Sequence, residues 1–166
     1  AHDACGKLLF GGTPPNPENW GTISRTDPKE LEPGGRVGPY RLLGVMGEGS
    51  TSTVFLAEQD DPVHRWVALK IVKQGMDSRK VIQRFSLERQ ALALMDHPGI
   101  AKLLDAGATA SGRPFFVMEL VFGSGITTFC DEHGMSVPKR LELFTSICSA
   151  VLHAHQRGII HRDIKP

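Results

Sequence analysis

The sequence predicts an α+β domain in which five strands and one inserted helix are followed by further helices. Two observations indicate this fold class. Short runs rich in apolar and β-branched residues, bounded by glycine and proline, recur from Val37 to about Val121. Apolar residues at helical spacing occupy one segment between these runs and most of the chain after them. The 166 residues are enough for about one domain, and they contain no internal repeat.

The predicted strands are separated by turn-forming residues. The first two lie on either side of a glycine-rich turn, and the third is dense in apolar and β-branched residues. The fourth and fifth follow the inserted helix. The five strands are predicted at residues 40–46, 53–58, 66–72, 100–104 and 115–121.

Three helices are predicted from apolar residues that recur at roughly helical spacing, with charged residues between them. The inserted helix covers about residues 78–95. A short helix at about 127–133 and a longer one at about 138–157 follow the last strand. Pro138 suits the first turn of the longer helix, and Gly158 suits its end.

Residues 1–36 are predicted to be a flexible lead-in, because glycine and proline recur there without apolar periodicity. A short docking peptide anchored by Trp20 is the alternative. No signal peptide is expected, since Asp3, Cys5 and Lys7 interrupt any apolar stretch at the start. The first residue is not methionine, so an incomplete N-terminus is left open.

The composition excludes several classes of protein. Nineteen basic and 18 acidic residues leave a formal charge of +1, which gives no reason to expect a nucleic-acid or membrane-surface binder. No apolar run approaches the roughly 18 residues of a membrane span. Three cysteines fit a reducing compartment better than a disulfide framework. A zinc site at Cys130 and His133 is not expected, because structural sites need four ligands and His153 and His155 would not share a helix face.

The glycine-rich turn runs from Gly47 through Gly49 to Val54. Glycine lets the backbone approach a ligand closely and turn its N–H groups toward phosphate oxygens. A lone pair of such glycines also occurs in plain hairpins. A dinucleotide-binding fingerprint would open a helix, whereas a strand follows here.

Lys70 lies inside the apolar third strand, where a buried ammonium needs a partner. Glu88, on the helix that follows, could supply that partner. The alternatives are a lysine that reaches solvent from an edge strand and a solvated helix glutamate.

The run His161-Arg162-Asp163-Ile164-Lys165-Pro166 is the strongest signal. The Asp163 carboxylate could accept a proton from a hydroxyl group, and Lys165 could neutralise phosphate charge. The alternative is a charged surface loop.

Together these features resemble the protein kinase family, and the resemblance covers about residues 37–166. The order of glycine loop, strand lysine, helix glutamate and catalytic loop is that of the family. Residues 97–100 resemble the turn after its regulatory helix, and residues 116–121 its last small-lobe strand and hinge. The sequence at residues 152–160 is most similar to bacterial kinases.

The resemblance implies two lobes with ATP in the cleft between them. The small lobe would have a five-stranded antiparallel sheet with one regulatory helix, at about 37–121. The first helices of an incomplete large lobe would occupy 122–166, and the chain is expected to stop inside the catalytic loop.

The resemblance also implies roles for residues. Lys70 would hold the α- and β-phosphates of ATP with Glu88 as its ion-pair partner, and Met118 would be the gatekeeper. Glu119 and Val121 would offer backbone hydrogen bonds. The nucleotide-binding residues would be Met46, Gly47, Glu48, Gly49, Ser50, Val54, Ala68, Lys70, Met118, Glu119 and Val121.

Catalysis would rest on Asp163 as the base and Lys165 at the γ-phosphate, with Lys70 and Glu88. Ser52 departs from the family, because it stands where a third loop glycine is usual. No metal ligand is assigned within the chain, since the magnesium-binding residues are expected beyond Pro166.

The implied function is ATP-dependent phosphorylation of protein serine and threonine by the full-length parent, with the chain itself inactive. The alternative is a non-catalytic pseudokinase that binds nucleotide or acts as a scaffold. The implied partners are ATP, protein substrates and a second copy for autophosphorylation, in the cytoplasm, with no nucleic acid and no membrane in this segment.

Overall fold

The computed structural model describes residues 34–76, 78–160 and 164. These residues divide into two compact units. The sheet unit comprises the described residues up to Ala93 together with Lys102–Leu120. The helical unit comprises Leu94–Ala101 together with the described residues from Val121 onward.

The sheet unit contains six described strands in one antiparallel sheet. The strands are β1 (Arg36–Val37), β2 (Tyr40–Glu48), β3 (Ser52–Gln59), β4 (Arg65–Val72), β5 (Leu103–Ala108) and β6 (Pro114–Glu119). Their order in the sheet is β1-β2-β3-β4-β6-β5, and every neighbouring pair is antiparallel. The predicted α+β class is confirmed, and the five predicted strands correspond to β2–β6.

The predicted position of the fourth strand was wrong. It was expected at 100–104, but β5 begins at Leu103 and runs to Ala108. Ile100 belongs to a turn, where its N–H donates to the carbonyl of His97 at 3.0 Å. The apolar pattern of the sequence does not give the bounds of β5, because its backbone pairing with β6 determines them. Gly107 fits there because a Cβ at that position would lie 2.9 Å from the Phe115 ring.

A short strand, β1, precedes the predicted ones. The Gly34 N–H donates to the carbonyl of Leu42 at 2.8 Å, and the Leu42 N–H donates to Gly35 at 2.9 Å. Residues 34–36, which the sequence assigned to the lead-in, therefore join the sheet. Residues 1–33, and with them Trp20, lie outside the described residues.

Both faces of β4 are buried. Val67, Leu69 and Ile71 enter a cluster of buried residues contributed by five strands, and Val72 enters a second cluster with Phe85 and Phe116. Successive side chains of a strand point to opposite faces, which explains the alternation. The sheet therefore has one apolar core on each of its two faces at β4.

The second cluster lies between the inserted helix and the sheet. Helix α1 spans Arg79–Ala93, within the predicted 78–95. Phe85 is its buried residue, and the Phe85 ring lies 4.9 Å from the ring of Phe116 on β6. Aromatic rings at this distance attract one another beyond their burial of area. This contact fixes the side of α1 that faces the sheet.

The helical unit contains α2 (Ile126–Glu132) and α3 (Val137–Gln156), each within one residue of its predicted bounds. The Arg140 guanidinium of α3 binds the carboxylate of Asp131 at 2.7 Å and the carbonyl of Met135 at 3.0 Å. Among the described residues, no helix has the length and apolar character needed to cross a membrane.

The loop 94–101 contacts α3 through polar groups. The imidazole of His153 accepts a hydrogen bond from the Asp96 N–H at 3.3 Å, and the His97 ring lies 3.2 Å from the Ser149 hydroxyl. The rings of His97 and His153 are 5.2 Å apart. Polar contacts between half-exposed side chains therefore hold this loop.

Candidate nucleotide-binding site

The glycine turn, defined here as residues 47–52, joins β2 to β3. Strand β2 ends at Glu48, strand β3 begins at Ser52, and the Gly49 N–H donates to the Ser52 carbonyl at 2.8 Å. The pairing of β2 with β3 shifts by a residue between Val45 and Gly47. The strand end before the turn is therefore irregular, as is common next to binding sites.

Neither the packing nor the backbone conformation of the folded chain requires glycine at positions 47 and 49. A Cβ built on Gly47 meets no described atom within 4 Å, and one on Gly49 meets the Ser52 carbonyl at an ordinary 3.4 Å. Neither has the positive φ that favours glycine. The bare backbone at these positions leaves room for a ligand to approach, which fits a nucleotide phosphate.

Lys70 and Glu88 meet in the sheet unit. The ammonium of Lys70 on β4 lies 2.5 Å from a carboxylate oxygen of Glu88 on α1. Their side chains are 19% and 46% exposed, so the ion pair is open to solvent on the helix side. The approach expected between these two residues is present. Phe85 explains it, because residues three apart share one side of a helix and Phe85 holds that side against the sheet.

Other candidate residues lie beside Lys70 in the sheet. Val54 on β3 pairs with Lys70, and Ala68 on β4 pairs with Met118 on β6. Ala68 is buried, while Val54 and Met118 are half-buried. Lys70 therefore lies between strands that contribute small and apolar side chains, as an adenine-binding surface would require.

Glu119 ends β6, and its backbone N–H already donates to the carbonyl of Lys102 at 2.8 Å. Its carboxylate accepts a bond from the Lys102 N–H at 3.3 Å. Because this N–H is engaged, a nucleotide hydrogen bond to the backbone of Glu119 would use its carbonyl, which accepts from an amino group. Val121 belongs to the helical unit and is 42% exposed.

Met46 and Ser50 complete the candidate set around the turn. Met46 lies near the end of β2 and is half-buried, and Ser50 in the turn is exposed. Asp163 and Lys165 lie outside the described residues, so no geometry is assigned to them.

One contact at the turn was not predicted. The ammonium of Lys73, just beyond β4, lies 3.8 Å from a carboxylate oxygen of Glu48. The sequence carried a weak signal for it, a second lysine three residues after Lys70.

The described residues of the turn do not fit a magnesium site. Glu48 and Glu88 are the carboxylates at the turn and beside Lys70, and each already faces a lysine. Magnesium is usually held by carboxylates together with waters and substrate phosphates. The expectation that its protein ligands lie beyond Pro166 stays a prediction.

The antiparallel sheet, the glycine turn and the strand lysine paired with a helix glutamate are the parts of a protein kinase small lobe. The sequence model of the protein kinase domain matches residues 40–166, and the chain belongs to this family.

The most informative relatives are bacterial. The chain is 38% identical over 131 residues to the serine/threonine-protein kinase PrkC of Bacillus subtilis, covering 78% of the chain and 20% of PrkC. It is 36% identical over 132 residues to PknB of Mycobacterium tuberculosis, covering 76% of the chain and 21% of PknB. The chain is thus homologous to bacterial serine/threonine protein kinases, which are transferases, and spans about a fifth of these relatives.

The fold agrees with a solved kinase domain. The crystal structure of the PknI kinase domain of M. tuberculosis matches with a TM-score of 0.63 at 27% identity. The match covers 82% of this chain and 55% of the PknI chain.

Proposed function

We propose that this chain forms the ATP-binding part of a protein that phosphorylates serine and threonine residues of other proteins. The observation that carries the proposal is the 2.5 Å contact between the Lys70 ammonium and the Glu88 carboxylate. A cation held beside a bare glycine turn suits phosphate oxygens, and the relatives PrkC and PknB are named serine/threonine-protein kinases.

Each residue of the site has a proposed task. The Lys70 ammonium attracts the α- and β-phosphates, and Glu88 fixes the direction of its long side chain. The N–H groups of the glycine turn line the phosphates. Val54 and Ala68 pack on adenine, and the Glu119 carbonyl accepts from its amino group. Adenine would thereby be distinguished from guanine, which carries a carbonyl at the corresponding position.

Asp163 and Lys165 are the proposed catalytic pair. A carboxylate at Asp163 accepts the proton of the substrate hydroxyl, and Lys165 offsets charge on the transferred phosphoryl group. Magnesium, when bound, would supply charge neutralisation at the phosphates. The 166 residues contain no Asp-Phe-Gly, so we propose that the chain alone binds ATP without transferring phosphate.

The proposal also covers the cellular compartment and the pairing of two copies. The described cysteines, Cys130 and Cys148, are free thiols, which suits a reducing cytoplasm. Pairing of two copies for autophosphorylation is part of the proposal, because Arg162 before Asp163 suits a kinase activated by phosphorylation.

Nucleotide binding is tested on the 166-residue chain by calorimetric titration with ATP. Lys70→Met should weaken binding at least about tenfold, because charge-assisted bonds to phosphate contribute about 1.5–3 kcal/mol. Lys80→Met is the matched control, since it removes an exposed lysine from α1 and should leave affinity unchanged. Equal affinity in the wild type and Lys70→Met would refute the assigned site.

Transfer is tested on the natural protein that carries this sequence, with labelled ATP, magnesium and a generic serine/threonine substrate. Turnover should be seen and should be lost in Asp163→Asn. Binding of ATP without any turnover would favour the pseudokinase alternative. Turnover by the 166-residue chain that Asp163→Asn abolishes would contradict the proposed inactivity of the chain alone.

A further inference from the structure

Lys73 contacts both sides of the glycine turn. Strands β3 and β4 pair along their length as far as Ser52 and Val72. One residue further, the Lys73 N–H donates to the carbonyl of Thr51 at 3.0 Å, while its ammonium lies 3.8 Å from the Glu48 carboxylate. Lys73 therefore contacts both ends of the turn: Glu48, where β2 ends, and Thr51, just before β3 begins.

The backbone contact restrains a segment that is otherwise exposed. Gly47, Gly49 and Ser50 are exposed, and glycine has more backbone freedom than other residues. The hydrogen bond to Thr51 extends the ladder of β4 into the turn and limits that freedom.

The side-chain contact has an electrostatic consequence. Glu48 stands between the two glycines whose N–H groups are proposed to face phosphates. An unneutralised carboxylate there would repel them, and the repulsion would grow with the phosphate charge. Lys70 already faces Glu88, so Lys73 is the lysine placed to compensate Glu48.

We propose that Lys73 is a positioning residue, which anchors and neutralises Glu48 so that the glycine turn accepts a nucleotide di- or triphosphate. The proposal rests on the proposed function of the turn. Lys73 touches the turn and does not itself need to reach the phosphates.

The test compares ligands that share adenosine and differ in phosphate charge. In the 166-residue chain, Lys73→Gln should weaken ATP binding about two- to fivefold, the range of a partly exposed ion pair. The effect should be smaller for ADP and absent for adenosine. Glu48→Gln introduced together with Lys73→Gln should recover most of the loss, because the uncompensated charge is gone. Lys80→Gln is the control for a lysine lost elsewhere in the sheet unit.

A second measurement needs no nucleotide. Amide hydrogen exchange at Gly49 should accelerate in Lys73→Gln and stay at the wild-type rate in Lys80→Gln, with β4 protection equal in all variants. If the wild type binds no nucleotide, the proposed function fails, while Gly49 exchange still decides whether Lys73 orders the turn. Equal weakening for adenosine and ATP, no recovery in the double variant, or unchanged Gly49 exchange would overturn the proposal.

Discussion

The sheet unit and the helical unit bury their apolar side chains to different extents. In the sheet unit, ten buried residues from five strands form one cluster, and α1 closes a second. Among the described residues of the helical unit, Cys130 and Leu143 are the buried apolar side chains. Leu141, Phe144 and Leu152 of α3 are 59%, 60% and 56% exposed.

The exposed residues of α3 lie three and eight residues apart, which places them on one side of the helix. The sheet unit thus encloses its own cores, whereas α3 leaves an apolar stripe uncovered in this chain. Because burial of apolar area is the main stabilising contribution, the sheet unit should resist unfolding better than the helical unit.

The largest expected effect compares two leucines. Leu69→Ala, at a fully buried position of β4, should lower the free energy of unfolding by about 2–5 kcal/mol. Leu141→Ala, at an exposed position of α3, should cost less than about 1 kcal/mol. Native-state hydrogen exchange of β4 amides and of α3 amides measures the two effects separately. Similar costs at both positions would mean that the units do not differ in burial as described.

The sequence predicted the sheet unit well where local pattern and burial agree. Dense apolar runs predicted β4 and β6, and an isolated lysine within such a run predicted a partner for Lys70. Glu88 could be anticipated because it lies on the next element of the chain. Residue type and element order predicted the strands, but they left open a lysine that reaches solvent and a solvated glutamate, and the resemblance to protein kinases favoured the ion pair.

Features that depend on register could not be predicted. The shift of β5 follows from its pairing with β6 and from the space that Gly107 leaves for Phe115. The contact of Lys73 with Glu48 arises because the β4 ladder extends by one residue into the turn. Neither relation is visible in a linear pattern, because each involves strands distant in sequence.

A second prediction tests the apolar core of the sheet unit through the ionisation of the Tyr40 hydroxyl. Tyr40 is 1% exposed, and its hydroxyl donates to the Asp105 carboxylate at 2.6 Å. Burial first, and then the hydrogen bond and charge of Asp105, raise the pKa of Tyr40 to about 12. Tyr40 is the single tyrosine of the chain, so absorbance titration at alkaline pH reads it directly.

The titration midpoint of Tyr40 should fall near 12 in the folded chain, against the usual 10.0. Since the folded-state pKa is raised, the stabilisation is complete below pH 10 and is lost as the pH rises toward 12. Tyr40→Phe should cost about 1–2 kcal/mol, because Asp105 loses a donor in a part-buried place. A midpoint at 10 in the folded chain would show that the core admits water at this site.

The smallest expected effect concerns the polar contacts of the helical unit. The two ring nitrogens of His153 face donors, the Asp96 N–H at 3.3 Å and the Arg157 guanidinium at 3.2 Å. A protonated ring would place N–H groups against both. Partial burial first, then Arg157 and His97, lower the pKa of His153 below its usual 6.5, against the opposing Asp96 carboxylate.

Because the folded-state pKa of His153 is lowered, its contribution to stability is present above pH 6.5 and is lost as the pH falls through the folded-state value. The loop 94–101 should therefore loosen slightly as the pH falls below 6.5. Hydrogen exchange at the Asp96 amide, corrected for the intrinsic pH dependence of exchange, should accelerate as the pH falls.

The variant His153→Gln should remove that acceleration of exchange. His133→Gln should keep it, because the His133 ring contacts the carbonyl and the ring of Phe129 in α2. Two results would contradict this prediction: a corrected exchange rate that does not change with pH, or a His153 titration midpoint at or above 6.5. Either would mean that the loop 94–101 does not depend on an uncharged His153 ring, and the contrast with the pH-insensitive core around Tyr40 would be lost.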